Sequence, residues 1–154
     1  FSSVSSFEFF RFSVKESAIS ISSSDKASLT SVFNPLYLSI NLLNKDEHEN
    51  LEFKSTFRWD TKQNMVNRVL EKSVMKTVAA FLNSQGGHLV IGIDDNKAIV
   101  GLAGDYNSLN RKDADGFENH FTNIFHNMIG AEFRQFVKLN WSKVDDKEAG
   151  LSEK

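Results

Sequence analysis

Two adjacent carboxylates, Asp94 and Asp95, stand in an acidic Asp-Asp-Asn-Lys segment between two short apolar stretches. Aspartate and asparagine favour turns because their side chains hydrogen-bond the nearby backbone and tolerate positive φ. A turn here presents both carboxylates to solvent, where a surface site could use them. The residues alone leave two interpretations open, since surface carboxylates are common in turns that have no chemical role.

A row of basic residues is the second candidate for chemistry. Arg68, Lys72 and Lys76 follow one another at four-residue spacing, which places them on one side of a helix. Lys54 and Arg58 precede them, and the segment from Lys54 to Lys76 holds six basic and two acidic residues. Such a row can neutralise phosphates, and its binding would weaken with salt. A solvated helix face gives the same pattern and is the commoner explanation.

Composition limits the classes of protein that need considering. The 154 residues suffice for one domain with its own core, and 40% of them are hydrophobic. The absence of cysteine excludes disulfides, thiolate metal sites and cysteine nucleophiles. A net charge of −2 argues against nucleic-acid binding by bulk positive charge but leaves a local basic patch open. No apolar run approaches the ~20 residues that span a bilayer, so we expect no membrane partner and a cytoplasmic location.

Hydrophobic periodicity then supplies the elements that must position these residues. Alternation over residues 51–57 predicts a half-buried strand with Glu52 and Lys54 on its polar side. An apolar stripe over residues 63–84 predicts a long helix, which Gly86 and Gly87 end. Residues 88–93 predict a buried strand, and residues 98–102 predict its hairpin partner beyond the acidic turn.

The last two predicted elements follow a polar connection. Apolar residues from Phe117 to Ile129 keep helical spacing, and Asp113 or Asp115 supplies the N-cap. Alternation from Val137 predicts a final strand. The order β-α-β-β-α-β predicts an α+β fold, a two-layer sandwich in which two helices pack on a mixed sheet.

The two ends of the chain differ from this pattern. Residues 1–44 are rich in serine and phenylalanine without a lasting period, and we interpret them as an extension of uncertain order. Residues 45–154 form the predicted domain. The segment 144–150 is typical of a hairpin turn whose return strand is missing, which predicts truncation at the C-terminus and a fragment of a longer protein.

Three motifs together resemble the Schlafen AlbA-type domain, which is described as a DNA-binding domain. The first is Glu-His-Glu-Asn-Leu-Glu-Phe-Lys at residues 47–54, similar to the family's opening strand. The second is a helix that ends in Ala-Phe-Leu-Asn-Ser-Gln-Gly-Gly at residues 80–87. The third is Ile-Gly-Ile-Asp-Asp at residues 91–95, similar to the family's hairpin. The resemblance covers roughly residues 45–144.

The resemblance implies nucleic-acid binding, to DNA or RNA. In nuclease members, two glutamates near the first strand and one aspartate at the hairpin form a metal-dependent RNA-cleaving site, and by motif position these fall on Glu47, Glu52 and Asp95. Such oxygen ligands suit Mg²⁺ or Mn²⁺. Many members are fused to other domains, so a fused effector domain and a homo-oligomer are further expectations.

Three functions follow as alternatives. The first is a nucleic-acid-binding domain whose phosphate contacts come from the basic residues Lys54, Arg58, Arg68, Lys72 and Lys76. The second is a metal-dependent endoribonuclease that uses Glu47, Glu52 and Asp95 as metal ligands and catalytic groups. The third is a non-catalytic module that binds other proteins and positions an attached effector domain.

Overall fold

A computed structural model describes residues 6–14, 47 and 50–145, with the side chains of residues 13, 47 and 50–143. Six strands are described: β1 (Ser6–Val14), β2 (Leu51–Lys54), β3 (Trp59–Asp60), β4 (Met65–Val66), β5 (Gly87–Ile91) and β6 (Val137–Asp145). The helices are α1 (Arg68–Leu82), the short α2 (Ala103–Asn107) and α3 (Ala114–Met128), followed by a 3-10 helix at Ala131–Phe136.

The main sheet has four strands in the order β2-β5-β1-β6. Strands β2 and β5 are parallel, whereas β1 is antiparallel to both β5 and β6. A second, two-stranded sheet pairs β3 with β4. The predicted α+β fold with helices on a mixed sheet is therefore confirmed. In the described ranges, no helix is long and apolar enough to cross a membrane.

Strand β1 is the main departure from the sequence prediction. Its backbone pairs with β5 over Phe10–Val14 and with β6 over Ser6–Val14, so it lies inside the sheet and not beside it. Local periodicity did not reveal it because pairing between strands far apart in sequence is a tertiary choice. The rest of the predicted extension, residues 1–5 and 15–44, lies outside the described residues, and the boundary at residue 44 stays a prediction.

Helix α1 begins later than its apolar stripe suggested. Asn67 is its N-cap and accepts a hydrogen bond of 3.0 Å from the N–H of Val69, while the preceding residues form the β3–β4 turn. Met65 and Val69, two apolar residues within the predicted helix, are exposed. The helix ends at Leu82, close to the predicted end, with Asn83 as its C-cap, and the chain then turns into β5 at Gly86, whose φ of 97° a residue with a side chain rarely adopts.

The core lies between the two long helices and one face of the sheet. Val74 and Val78 of α1 pack with Phe121 of α3 and with Leu89 and Ile91 of β5 in one buried cluster. Helix α3 follows the predicted pattern closely: Asp113 caps it by accepting the N–H of Gly116 at 2.8 Å, and the helix covers Ala114–Met128. This prediction is confirmed because cap and apolar stripe are both local signals.

Two predicted strands are shorter than expected. Strand β2 ends at Lys54, and Phe57 turns inward to become part of the core instead of continuing the strand. The predicted return strand at residues 98–102 is reduced to one bridge between Ile93 and Ile99. The turn between them is present, with Lys97 at φ 62°. Residues 146–150, where a further hairpin turn was predicted, lie outside the described residues.

Candidate nucleic-acid interface

Asp105 fixes the segment that follows β2. Its buried carboxylate accepts three backbone N–H bonds, from Phe57 at 2.8 Å, Arg58 at 2.8 Å and Trp59 at 2.9 Å. Burial raises the pKa of the Asp105 carboxyl above its ordinary value, although these three donors and the charge of Arg58 act in the opposite direction. The three bonds explain why the chain leaves the sheet after Lys54, and they set the direction in which Arg58 projects.

Arg58, Glu71 and His120 form a cluster between α1 and α3. The Nε2 atom of His120 lies 2.7 Å from Oε1 of Glu71, which is a hydrogen-bond distance. The Nε atom of Arg58 lies 3.5 Å from the same oxygen, an ion-pair distance without hydrogen-bond geometry. Glu71 is buried, so its charge is balanced by two cationic or ionisable neighbours.

The ring of Phe57 supports this cluster from the core side. It contacts His120 edge-on at 5.9 Å between centroids and Phe117 at 5.5 Å. Both contacts have the edge-to-face geometry that aromatic rings prefer. His120 is therefore held by a hydrogen bond on one side and by ring packing on the other, which limits its movement.

A cleft of about 270 Å³ opens above the cluster, and we call it the cationic cleft. It lies between the first turns of α1 and the middle of α3. Its lining residues are Arg58, Arg68, Glu71, Lys72, His120, Ile124 and Met128. Arg68 and Lys72 are exposed, and Arg58 comes from the separate segment that Asp105 holds. Three permanent cations from two parts of the chain thus meet at one opening.

A second cleft of about 380 Å³ lies beside the first, and we call it the amide cleft. It shares Arg58 and His120 with the cationic cleft. Its other lining residues are Ser108, Leu109, Asn110, Arg111, Gly116, Asn119 and Asn123. Asn119 and Asn123 stand one helical turn apart on α3, so their side chains point the same way.

Two predicted phosphate-binding residues lie elsewhere. The Nζ atom of Lys54 pairs with Oε1 of Glu52 at 2.8 Å, and both side chains are about one third exposed or less. Lys76 is exposed on α1, one turn beyond Lys72, and does not line the cationic cleft. Of the five predicted basic residues, the structure brings together Arg58, Arg68 and Lys72.

The three predicted metal ligands have other surroundings. Oε1 of Glu47 accepts the N–H of Phe53 at 2.8 Å. This N–H points away from β5, because Asn50 and Lys54 supply the oxygens that face β5, so Glu47 completes the outer edge of the sheet. Glu52 is paired with Lys54.

The acidic turn lies beside the end of β2, since the N–H groups of Gly92 and Ile93 both donate to the carbonyl of Lys54, at 2.8 and 3.3 Å. Asp94 builds the turn: its Oδ1 accepts the N–H groups of Asn96 and Ala98, each at 2.9 Å. Asp95 is exposed at the tip of the turn.

These carboxylates do not form a ready ligand set. Over residues 6–14, 47 and 50–145, no group of three or more His, Cys, Asp or Glu side chains converges to hold a metal ion. One oxygen of Glu47 is taken by a backbone N–H and one of Glu52 by Lys54. The residues as arranged therefore do not fit an Mg²⁺ or Mn²⁺ site, and the metal role of Glu47, Glu52 and Asp95 stays a prediction.

Comparison with known families agrees with the motifs. Residues 47–145, well over half of the chain, match the family described as Schlafen, AlbA_2. The chain belongs to the Schlafen AlbA_2 family. The family is generally related to nucleic acids. No curated protein and no solved structure gives a significant match. The matched segment of this Schlafen AlbA_2 domain includes β2 to β6 and the helices, whereas β1 precedes it.

Sequence reasoning missed three residues that shape the two clefts of the Schlafen AlbA_2 domain or hold the segment that carries Arg58. Glu71 gave a signal, since it stands three residues before Val74, at an apolar position of the helix stripe. His120 likewise lies on the flank of the apolar stripe of α3, beside Phe121. Asp105 gave no periodic signal, because its partners at residues 57–59 are 46 to 48 residues away.

Proposed function

We propose that this Schlafen AlbA_2 domain binds nucleic acid by holding backbone phosphates in the cationic cleft. The observation that carries the proposal is the meeting of Arg58, Arg68 and Lys72 at one opening of about 270 Å³. Phosphate contacts supply most of the sequence-independent affinity of nucleic-acid-binding proteins. The family's relation to nucleic acids supports the same conclusion.

The arrangement of charge favours an anion at this place in the molecule. Arg58 is only 16% exposed and is directed by Asp105 and Glu71, so it loses little conformational freedom when it binds. The first turn of α1 adds the positive end of the helix dipole. A domain with a net charge of −2 can therefore present a local positive surface.

The test compares two double variants by fluorescence anisotropy with labelled RNA and DNA across a salt series. Replacing Arg68 and Lys72 by alanine removes two exposed cations of the cleft. We expect weaker binding and a slope of log K against log salt that is shallower by about 0.7 to 0.9 for each phosphate that the variant no longer neutralises. The matched control replaces Lys62 and Lys138, which are exposed outside the cleft, and should leave the slope unchanged.

The result can contradict the proposal in two ways. Absence of binding by the unaltered chain at low salt removes nucleic-acid binding altogether. Equal losses of affinity in the two double variants would show that net charge alone explains the effect. The cationic cleft would then not be the binding surface. Circular dichroism of each variant checks that the helices are retained.

The remaining expectations concern the larger assembly. A fused effector domain, self-association and a cytoplasmic location stay predictions. A domain that holds nucleic acid by phosphate contacts alone would select strands weakly, because such contacts carry no sequence information. Selectivity would then come from groups beside the cationic cleft or from an attached domain.

A further inference from the structure

The lining of the amide cleft differs in chemistry from that of the cationic cleft. Three asparagine side chains, from Asn110, Asn119 and Asn123, line an opening that shares Arg58 and His120 with the cationic cleft. All three are exposed. Asparagine is a poor helix former, so two such residues one turn apart on α3 are not explained by helix stability.

The walls of the amide cleft are formed before any ligand binds. The guanidinium of Arg111 is held by Asp113 at 2.9 Å and by Asp115 at 2.7 Å. A Cβ atom at Gly116 would lie 1.9 Å from the carbonyl oxygen of Arg111, so only glycine permits this close approach of loop and helix. The other side is held by the contact between His120 and Glu71 and by the hydrogen bond from the backbone N–H of Arg58 to Asp105.

We infer that the amide cleft holds one unpaired nucleobase of the strand whose phosphate lies in the cationic cleft. An asparagine amide offers a donor and an acceptor side by side, which matches the paired donor and acceptor on a base edge. The volume of about 380 Å³ lies in the range of small-ligand pockets, roughly 300–1,000 Å³. The inference rests on the proposed function and names its substrate class, single-stranded nucleic acid.

The position of the two clefts explains why the strand must be single. Arg58 and His120 separate them, so a base in one and a phosphate in the other belong to neighbouring parts of one nucleotide chain. In a duplex the Watson–Crick edges face the complementary strand and the bases are stacked, so a whole base cannot enter a cleft, although its groove edges stay exposed. A duplex could place phosphates in the cationic cleft but would have to unpair and extrude a base to fill the amide cleft, which is unfavourable.

The experiment measures anisotropy with a labelled single-stranded RNA, the same strand annealed to its complement, and the DNA forms of both. The test variant replaces Asn119 and Asn123 by alanine, and the matched control is Asn127→Ala on the same helix outside both clefts. These substitutions raise helix propensity at exposed positions, so folding is retained. We expect single-strand affinity to fall at least about fivefold, the factor that about 1 kcal/mol represents, with duplex affinity unchanged.

Each alternative outcome decides the question. Equal affinity of the unaltered chain for single and double strands overturns the inference. So does an unchanged single-strand affinity in the test variant, or an equal loss of affinity in the Asn127→Ala control. If these occur while the Arg68 and Lys72 double variant still binds more weakly, the proposed function stands and only the base pocket is rejected. If the unaltered chain binds neither form at low salt, both proposals fail together.

Discussion

The carboxylate of Asp105 shows how one side chain positions a functional group from a distance. It accepts hydrogen bonds from three consecutive N–H groups, the last of them at the start of β3, and thereby fixes the backbone of Arg58. A buried N–H group without a partner costs roughly 1–3 kcal/mol. The three hydrogen bonds therefore offset the unfavourable free energy of burying the carboxylate.

Asp105→Ala should therefore destabilise the domain by about 3 kcal/mol, because it removes the acceptor of the buried N–H of Phe57 and of the half-buried N–H groups of Arg58 and Trp59. Urea denaturation measures the change. The control is Asp95→Ala in the exposed turn, which should stay within about 0.5 kcal/mol of the unaltered chain. A similar destabilisation in both variants would show that the three bonds of Asp105 contribute little.

The raised pKa of Asp105 gives this residue a definite pH dependence. Because its folded-state pKa lies above the ordinary 3.8, the unfolded chain loses this proton first as pH rises. The part of the stability that depends on protonation of Asp105 is thus fully present below pH 3.8 and is lost as pH rises through the folded-state pKa, whereas the three backbone bonds remain. The measurement is the free energy of unfolding of the unaltered chain minus that of Asp105→Asn, which does not titrate, over a pH series. This difference should fall as pH rises above 3.8. A difference that stays constant or rises with pH would contradict a raised pKa of Asp105.

At the scale of elements, the ends of β2 and β5 bring the acidic turn next to the strand that carries Glu52. Parallel strands end at the same edge, which is why the motifs of the family meet here although they are about 40 residues apart. The same elements also supply competing partners, since β2 needs Glu47 at its open edge and Lys54 neutralises Glu52.

The metal hypothesis can be tested directly on these elements. It predicts Mn²⁺- or Mg²⁺-dependent RNA cleavage that is abolished in Glu52→Gln and in Asp95→Asn, because each change removes an anionic ligand. The measurement is a time course on labelled RNA with and without chelator, with circular dichroism to confirm folding. Equal cleavage by both variants would identify a contaminating nuclease and remove the hypothesis.

At the scale of the whole molecule, β1 joins the two parts of the main sheet. It lies between β5 and β6 and pairs with both, whereas the segment that matches the family begins only at residue 47. Without β1 those two strands would each present an unpaired edge, and the strand order would be interrupted.

A fragment of residues 47–145 should consequently lose more than about 3 kcal/mol of unfolding free energy, which lowers its Tm by more than about 10 °C. A peptide of residues 6–14 added in trans should restore part of this stability by pairing as a strand, and a scrambled peptide of the same composition is the control. A fragment as stable as the full chain would show that β1 contributes little to the fold.

Local sequence signals determined the elements whose causes are local. The stripe of α3 with its Asp113 cap, the glycine stop of α1 and the Asp94 turn were all predictable, because each depends on residues within a few positions of one another. The α+β class and the family followed from the same segments. Apolar periodicity predicted which side of each element is buried, but it did not predict which other element packs against that side.

Only the tertiary structure decided which distant residues meet. The place of β1 in the sheet, the Asp105 bonds and the Arg58–Glu71–His120 cluster join segments that are tens of residues apart. Such contacts depend on strand pairing and helix docking, where many alternatives have similar local energies. The sequence by itself therefore identified Arg58, Arg68 and Lys72 as basic residues, and folding alone placed them around one cleft.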